Sequence, residues 1–187
     1  MSTVDERVAQ PKVPEQRRGR RLLSALGWAA ALLLVVQWPL RVWVAEPLVV
    51  STASMSPTLE PGQRVLTWKV GAGDASWHRG DVVSLRHDGQ VWLKRVVAVG
   101  GDTVGLRDGR LVVGGHVVHE PWADPELIDS VYFGPVRVPA GSVFVMGDNR
   151  ANSEDSRSFG PVPESELTGR VVAVVWPHPG TVGGGER

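Results

Sequence analysis

The sequence predicts a mostly β chain with antiparallel sheets, carried behind one N-terminal membrane-spanning helix. Three observations support this: an uncharged apolar run over residues 22–40, β-branched runs broken by turn residues from position 46 onward, and 22 glycines with 14 prolines among 187 residues. Valine-rich runs fit a pleated, half-buried surface, and glycine and proline supply the turns between short strands. The length leaves room for one domain beside a membrane segment, and a hydrophobic content of 42% is too high for a wholly disordered chain. Lys and Arg number 20 and Asp and Glu 20, so no net field points to a nucleic-acid partner. The absence of cysteine excludes a disulfide framework, a thiolate zinc site and a cysteine nucleophile.

Residues 1–21 are polar, hold Pro11 and Pro14, and end in Arg17, Arg18, Arg20 and Arg21, which reads as a disordered basic cytoplasmic tail. Residues 22–40 follow without a charge. At about 1.5 Å per residue, a helix of that length just covers a hydrocarbon core of about 30 Å, so a transmembrane anchor is expected there. Arg7, Lys12 and the four arginines of the tail precede the run, and within twenty residues after it stands only Arg41. That asymmetry places the N-terminus in the cytoplasm and the following domain outside, with Trp38 and Trp43 at the interface. A buried core helix would be shorter and amphipathic, and a cleavable export signal would end in a small-x-small site instead of Gln37-Trp38-Pro39-Leu40-Arg41. An uncleaved, single-pass anchor in the cell membrane is the expectation.

Residues 41–176 read as a β-rich extracytoplasmic domain. Val82-Val83-Ser84-Leu85 and residues 91–99 are strand-like, bounded by Arg79-Gly80-Asp81, Asp88-Gly89 and Gly100-Gly101-Asp102. Residues 106–118 carry Asp108-Gly109 and Gly114-Gly115 between apolar pieces, the pattern of successive hairpins. Residues 143–146 and 171–176 add two strands. Residues 119–137 are less regular and read as a loop or part of a small accessory subdomain over about 103–140, and residues 177–187 as a flexible tail. The five histidines, His116 and His119 among them, show no metal-ligand spacing and read as surface residues.

Three segments set polar residues against apolar strands. The first is Ser51-Thr52-Ala53-Ser54-Met55-Ser56-Pro57-Thr58-Leu59, which taken alone is an ordinary loop. The second is Trp92-Leu93-Lys94-Arg95-Val96-Val97, where alternation gives Lys94 the neighbours Trp92 and Val96 on one face and puts Leu93, Arg95 and Val97 on the other. A serine hydroxyl needs a base to become a nucleophile, and lysine serves only when neutral. Its usual pKa near 10.4 must fall by about three units, roughly 4 kcal/mol of disfavoured charge, which burial can supply and arginine cannot match. Only Lys12, Lys69 and Lys94 are lysines. Lys12 lies on the cytoplasmic side, and Lys69, leading into Gly71-Ala72-Gly73, is expected to extend into solvent. The third segment, Gly147-Asp148-Asn149-Arg150-Ala151-Asn152-Ser153-Glu154-Asp155-Ser156-Arg157, carries too many charges for a simple polar turn and reads as an ion-paired wall.

Taken in order, Glu46-Pro47, Ser54-Met55-Ser56-Pro57-Thr58-Leu59, Arg79-Gly80-Asp81-Val82-Val83, Lys94-Arg95-Val96-Val97 and residues 147–157 resemble the bacterial type I signal peptidases. The resemblance runs from about residue 41 to 176, behind an anchor also typical of that family. It implies a Ser-Lys dyad on a mostly antiparallel β-fold that cuts signal peptides from exported preproteins near the outer membrane–water interface, without metal or organic cofactor. By motif position it implies Ser54 as nucleophile, Lys94 as general base and Ser153 as the hydroxyl that orients the lysine amine. Thr52 stands where the family usually has a serine, whose hydroxyl joins the backbone N–H of Ser54 in the oxyanion hole. Asp148 with Arg95, and Asp155 with Arg157, correspond to supporting ion pairs.

The same resemblance implies that substrate binds as an added strand, with Leu48, Val50 and Thr52 alternating toward Ser54. Leu48, Val50, Met55, Leu59, Trp92 and Leu93 are expected to form small pockets that select alanine-sized residues at the first and third positions before the cut. The implied partners are signal-peptide-bearing preproteins, the lipid bilayer and a secretion translocon. Ala53 in place of a common glycine and Gly100-Gly101-Asp102 are departures from the family pattern, and the short stretch between Lys94 and Gly147 implies a small accessory subdomain. Other readings stay open at this point. A specialised Ser-Lys protease for pilin or conjugation precursors fits the same residues. A self-cleaving repressor of the related type would lack the anchor, and the presence of both Ser54 and Lys94 argues against an inactive tethered binding domain.

Overall fold

In the computed structural model the β-branched runs pair into two antiparallel sheets. The structure describes residues 45–69, 77–123 and 132–182, together with Trp28, Leu32 and Val35. The chain divides into two units, Met1–Leu40 and Arg41–Arg187. Of the first, the three described residues are helical and exposed. The expected tail and anchor otherwise lie outside the described residues, among which no helix is long and apolar enough to cross a membrane.

The strands in chain order are β1 (Ala45–Val49), β2 (Arg64–Trp68), β3 (Val82–His87), β4 (Gln90–Val99), β5 (Thr103–Arg107), β6 (Arg110–Val113), β7 (His116–Val117), β8 (Tyr132–Arg137), β9 (Ser142–Met146), β10 (Val162–Pro163), β11 (Leu167–Trp176) and β12 (Gly180–Thr181). The larger sheet has the order β1-β2-β11-β3-β4-β9-β10, with β12 on β11, and the smaller has β7-β6-β5-β8. Local turn chemistry sets the hairpins. Asp88 and Asp108, with φ of 48° and 51°, precede Gly89 and Gly109, also at positive φ, as a tight β3–β4 or β5–β6 connection requires.

β9 and the second half of β4, from residue 94 on, are buried on both faces, so their apolar residues run consecutively instead of alternating with polar ones. Val96, Val143 and Val145 pack with Leu85, Trp77 and Leu167 on one side. On the other, Val97, Ala98, Phe144 and Met146 pack with Val104, Leu106, Leu111 and Val113 of the smaller sheet. Each of the Val, Leu, Met and Phe side chains contributes about 1.5–3 kcal/mol by leaving water. This well-packed pair carries Lys94 and Arg95 on β4 and leads out of β9 directly into Gly147.

Two elements differ from the sequence expectation. Tyr132–Arg137, within the stretch that reads as irregular, is strand β8 and pairs with β5 from Thr103↔Arg137 to Arg107↔Tyr132 across a bulge at Gly134-Pro135, opposite Gly105. A Cβ on Gly105 would stand 2.8 Å from the Phe133 carbonyl, so the two backbones approach only because glycine is there. Part of the expected C-terminal tail is also ordered, with Gly180 and Thr181 paired to Val174 and Ala173.

Candidate active site

The chain leaves β1 at Val49 and closes a tight loop, with Val50 N–H donating to Gln63 O and Gly62 N–H to Val50 O, each at 2.8 Å. Thr52 is extended, with φ −130° and ψ 159°, and Ala53–Met55 forms a short 3-10 turn carrying Ser54. The expected strand alternation from Leu48 through Thr52 to Ser54 therefore stops before the serine. The turn nevertheless brings the Thr52 and Ser54 hydroxyl oxygens to 3.1 Å. Met55 and Leu59 are buried with Val50 and Val65 and fix the turn from below.

Lys94 lies on β4 opposite Val83 and is 3% exposed. Its Nζ donates to Ser153 Oγ at 3.0 Å and stands 5.4 Å from the centre of the Trp92 ring. Burial pulls its pKa down from 10.5 to about 8, outweighing the opposing pull of Asp155, Glu154 and Asp148 while Arg157 adds to it. A lysine of this kind is neutral in an appreciable fraction of molecules near neutral pH, as a general base must be.

The wall behind this pair is built from charges that satisfy one another. Arg95 donates from Nε and Nη2 to the two carboxylate oxygens of Asp148, at 2.8 Å and 2.7 Å, and from Nη1 to Gly80 O at 2.7 Å. Asp155 caps α1 (Ser156–Phe159) by accepting from Arg157 N–H, and takes that arginine's Nε at 2.9 Å. Its second oxygen accepts the Gly147 N–H at 3.0 Å. Gly147 is where the two serines meet. A Cβ there would lie 2.5 Å from Ser54 O and against Ser153 Oγ, so only glycine lets the wall close on the serine turn. Asn149 holds the same turn, its backbone N–H on Ser54 O at 3.1 Å and its Nδ2 on Ala53 O at 3.3 Å.

Thr52, Ser54 and Lys94 line one cavity of about 310 Å³, whose apolar walls include Leu48, Val50, Met55, Trp92 and Leu93. Leu59 is not on this surface: it is wholly buried, in the core layer beneath Met55. Lys69 does not simply extend into solvent either, since its Nζ pairs with Glu46 at 2.9 Å. Ser153 reaches the cavity only through Lys94, while Asn152 and Glu154 on either side of it line the wall. The contacts of Gly147 and Asn149 with the serine turn are not expected from sequence, and neither is the buried ion pair of Arg150 with Glu120. Gly147, Asn149 and Arg150 fall within the charged run 147–157, and a glycine closing an apolar strand is their available signal, whereas Glu120 carries none.

The model of the family described as "Signal peptidase, peptidase S26" matches residues 22–176. Signal peptidase I of Bacillus licheniformis is 32% identical over 176 residues, covering 87% of this chain and 95% of that protein. Signal peptidase I S of Bacillus subtilis (strain 168) is 36% identical over 166 residues, covering 82% and 90%. A crystal structure of a signal peptidase I from Enterococcus faecalis V583 superposes with a TM-score of 0.42 at 28% identity, over 51% of this chain and 97% of that one. The family match spans most of the chain, and relatives above 30% identity align along nearly their whole length: the chain belongs to the signal peptidase I family, peptidase S26, serine endopeptidases that remove signal peptides.

Proposed function

We propose that this chain cleaves exported preproteins through an acyl-enzyme on Ser54, with Lys94 as the general base. Neutral Lys94 takes the Ser54 hydroxyl proton as the oxygen attacks the scissile carbonyl, then gives that proton to the departing amine. The ester on Ser54 is hydrolysed by a water that Lys94 deprotonates in turn, which returns both residues to their starting states. Ser153 holds the amine in register, and the Thr52 hydroxyl joins the Ser54 N–H in stabilising the oxyanion. The observation that carries this reading is the buried, hydrogen-bonded Lys94 with its lowered pKa on the same cavity as Ser54.

Substrate lies as an extended strand between residues 48–52 and 90–93, its main chain pairing with these segments. Leu48, Val50, Met55, Trp92 and Leu93 leave shallow apolar pockets suited to an Ala-x-Ala type site. A single-pass anchor over residues 22–40, N-terminus in the cytoplasm, keeps the cleft at the outer face of the cell membrane, where preproteins emerge from a translocon. The test is to incubate the purified protein and its Ser54→Ala variant with a model preprotein and sequence the new N-terminus. Cleavage after a small residue, abolished in the variant, is the expected result; cleavage surviving in Ser54→Ala would refute the assignment.

A further inference from the structure

The segment His119-Glu120-Pro121-Trp122-Ala123, leaving the smaller sheet after β7, reaches the wall of the site from behind. Ala123 N–H donates to Glu120 O at 3.3 Å and closes a turn that aims both side chains the same way. Glu120 takes the two terminal nitrogens of Arg150 in a fork, Nη1 at 3.0 Å and Nη2 closer, with side-chain exposures of only 8% and 5%. Trp122 lies over the Arg95 guanidinium, 4.4 Å from ring centre to Cζ. The two arginines held in this way flank Gly147-Asp148. Arg150 donates from Nε to Gly147 O at 3.0 Å, and Arg95 grips Asp148. With Asp155 on the Gly147 N–H, the residue is held at both its amide and its carbonyl.

We propose that Glu120 and Trp122 are positioning residues of the Ser54 centre: by fixing Arg150 and Arg95 from the side of the smaller sheet, they set the place of Gly147 and so the separation of Ser54 from the Lys94–Ser153 pair. The inference rests on the Ser54–Lys94 reading. A planar guanidinium is directed by a bidentate carboxylate and by an aromatic face, and loses that direction when either is removed. Released from Glu120, Arg150 turns toward water and its Nε leaves the Gly147 carbonyl. Ser153 Oγ and Ser54 O both touch the space at that α carbon, so a shift there changes the distance across which the proton moves. No part of the bracket lines the substrate cavity, and the effect falls on turnover with substrate binding left intact.

The test uses the full-length protein and a signal-peptide substrate. Glu120→Gln and Trp122→Ala are expected to lower kcat by about 10- to 100-fold with KM within about twofold, the range that a small misplacement of reacting groups costs. Acylation of Ser54 by a β-lactam-type inhibitor should slow in proportion. Trp122→Phe keeps a flat ring on Arg95 and should restore most of the rate. Val113→Ala, which hollows the core of the smaller sheet, is the control for stability alone, and should lower Tm while leaving kcat of the folded enzyme unchanged. If Glu120→Gln does not fold, Trp122→Ala against Trp122→Phe decides the same question. Wild-type kcat in folded Glu120→Gln and Trp122→Ala, or an equal loss of kcat in Val113→Ala, overturns the proposal while the dyad stands. Undiminished cleavage by Ser54→Ala overturns both.

Discussion

Lys94 donates its Nζ to Ser153 Oγ at 3.0 Å, joining the middle of β4 to a wall that begins 53 residues later at Gly147. The bond stabilises the amine in a place that burial makes hostile to its charge. By continuing to accept one amine N–H, Ser153 Oγ also fixes the rotation of the amine, so that the lone pair left when a proton departs points away from that oxygen. Burial thus supplies the neutrality, and the Ser153 contact the direction, that the proposed role of Lys94 as base requires.

The pH dependence of turnover follows from that burial. With the Lys94 pKa lowered to about 8, the neutral base is the minor form below that pH and the major form above it. We predict that kcat/KM climbs about tenfold per pH unit below 8 and levels off above it. Lys94→Arg should be as inactive as Lys94→Ala at every pH, and Lys69→Arg should keep wild-type activity. Steady-state rates on a signal-peptide substrate between pH 6 and 10 measure all three variants.

The same shift has a consequence for stability. The folded pKa of Lys94, about 8, lies below the 10.5 of the unfolded chain, so the unfolded state binds more protons between those values and folding is penalised at lower pH. The penalty is full below pH 8, fades as pH rises to 10.5, and is absent above. It amounts to about 3 kcal/mol at neutral pH. Lys94→Met should therefore be more stable than the parent at pH 7, with the gap closing as pH rises toward 10. Urea unfolding of both proteins at the two pH values checks the sign as well as the size.

Thr52 offers a test of the oxyanion site. Its hydroxyl is 3.1 Å from Ser54 Oγ and exposed at the cavity, placed to turn toward a developing negative charge. Thr52→Val preserves the shape and removes the donor. It should lower kcat by about 10² to 10³ with KM little changed and Tm unaltered, whereas Thr52→Ser should stay active. A stable Thr52→Val enzyme with near-normal kcat would remove Thr52 from the mechanism and leave the dyad in place.

Asp148 has a structural role that mutation should expose. It is wholly buried, and both its oxygens are taken by Arg95, which is itself 1% exposed. Asp148→Ala leaves a buried guanidinium without its counter-ion, at a cost of about 3–5 kcal/mol. Asp148→Asn keeps one acceptor and should cost less. Chemical denaturation of the two variants ranks them.

Much of this architecture was legible in the sequence, for identifiable reasons. β3, β4, β9 and β11 announce themselves because β-branched residues run between turn signals, and Lys94 stands out as a lysine inside such a run. Tyr132–Arg137 did not, because Gly134 and Pro135 break its pattern and its partner, Thr103–Arg107, lies far upstream. Ser54 was legible as a residue but not as a geometry: its placement depends on a 3-10 turn held by Asn149, a contact that spans 95 residues. Leu59 has the composition of a pocket residue, but the turn after Met55 directs it into the core. Glu120 was invisible because what makes it matter, Arg150, is set against it only by the docking of the smaller sheet.

Activation of Ser54 by a neutral Lys94 is tested most directly by the rate at which a β-lactam-type inhibitor acylates the protein as a function of pH, with the modified residue located by peptide mass spectrometry. One equivalent of label is expected on Ser54, at a rate rising through a single ionisation near pH 8, with no label in Lys94→Ala or Lys94→Arg. Label on another residue, or a rate on Ser54 that is flat from pH 6 to 10, would contradict it.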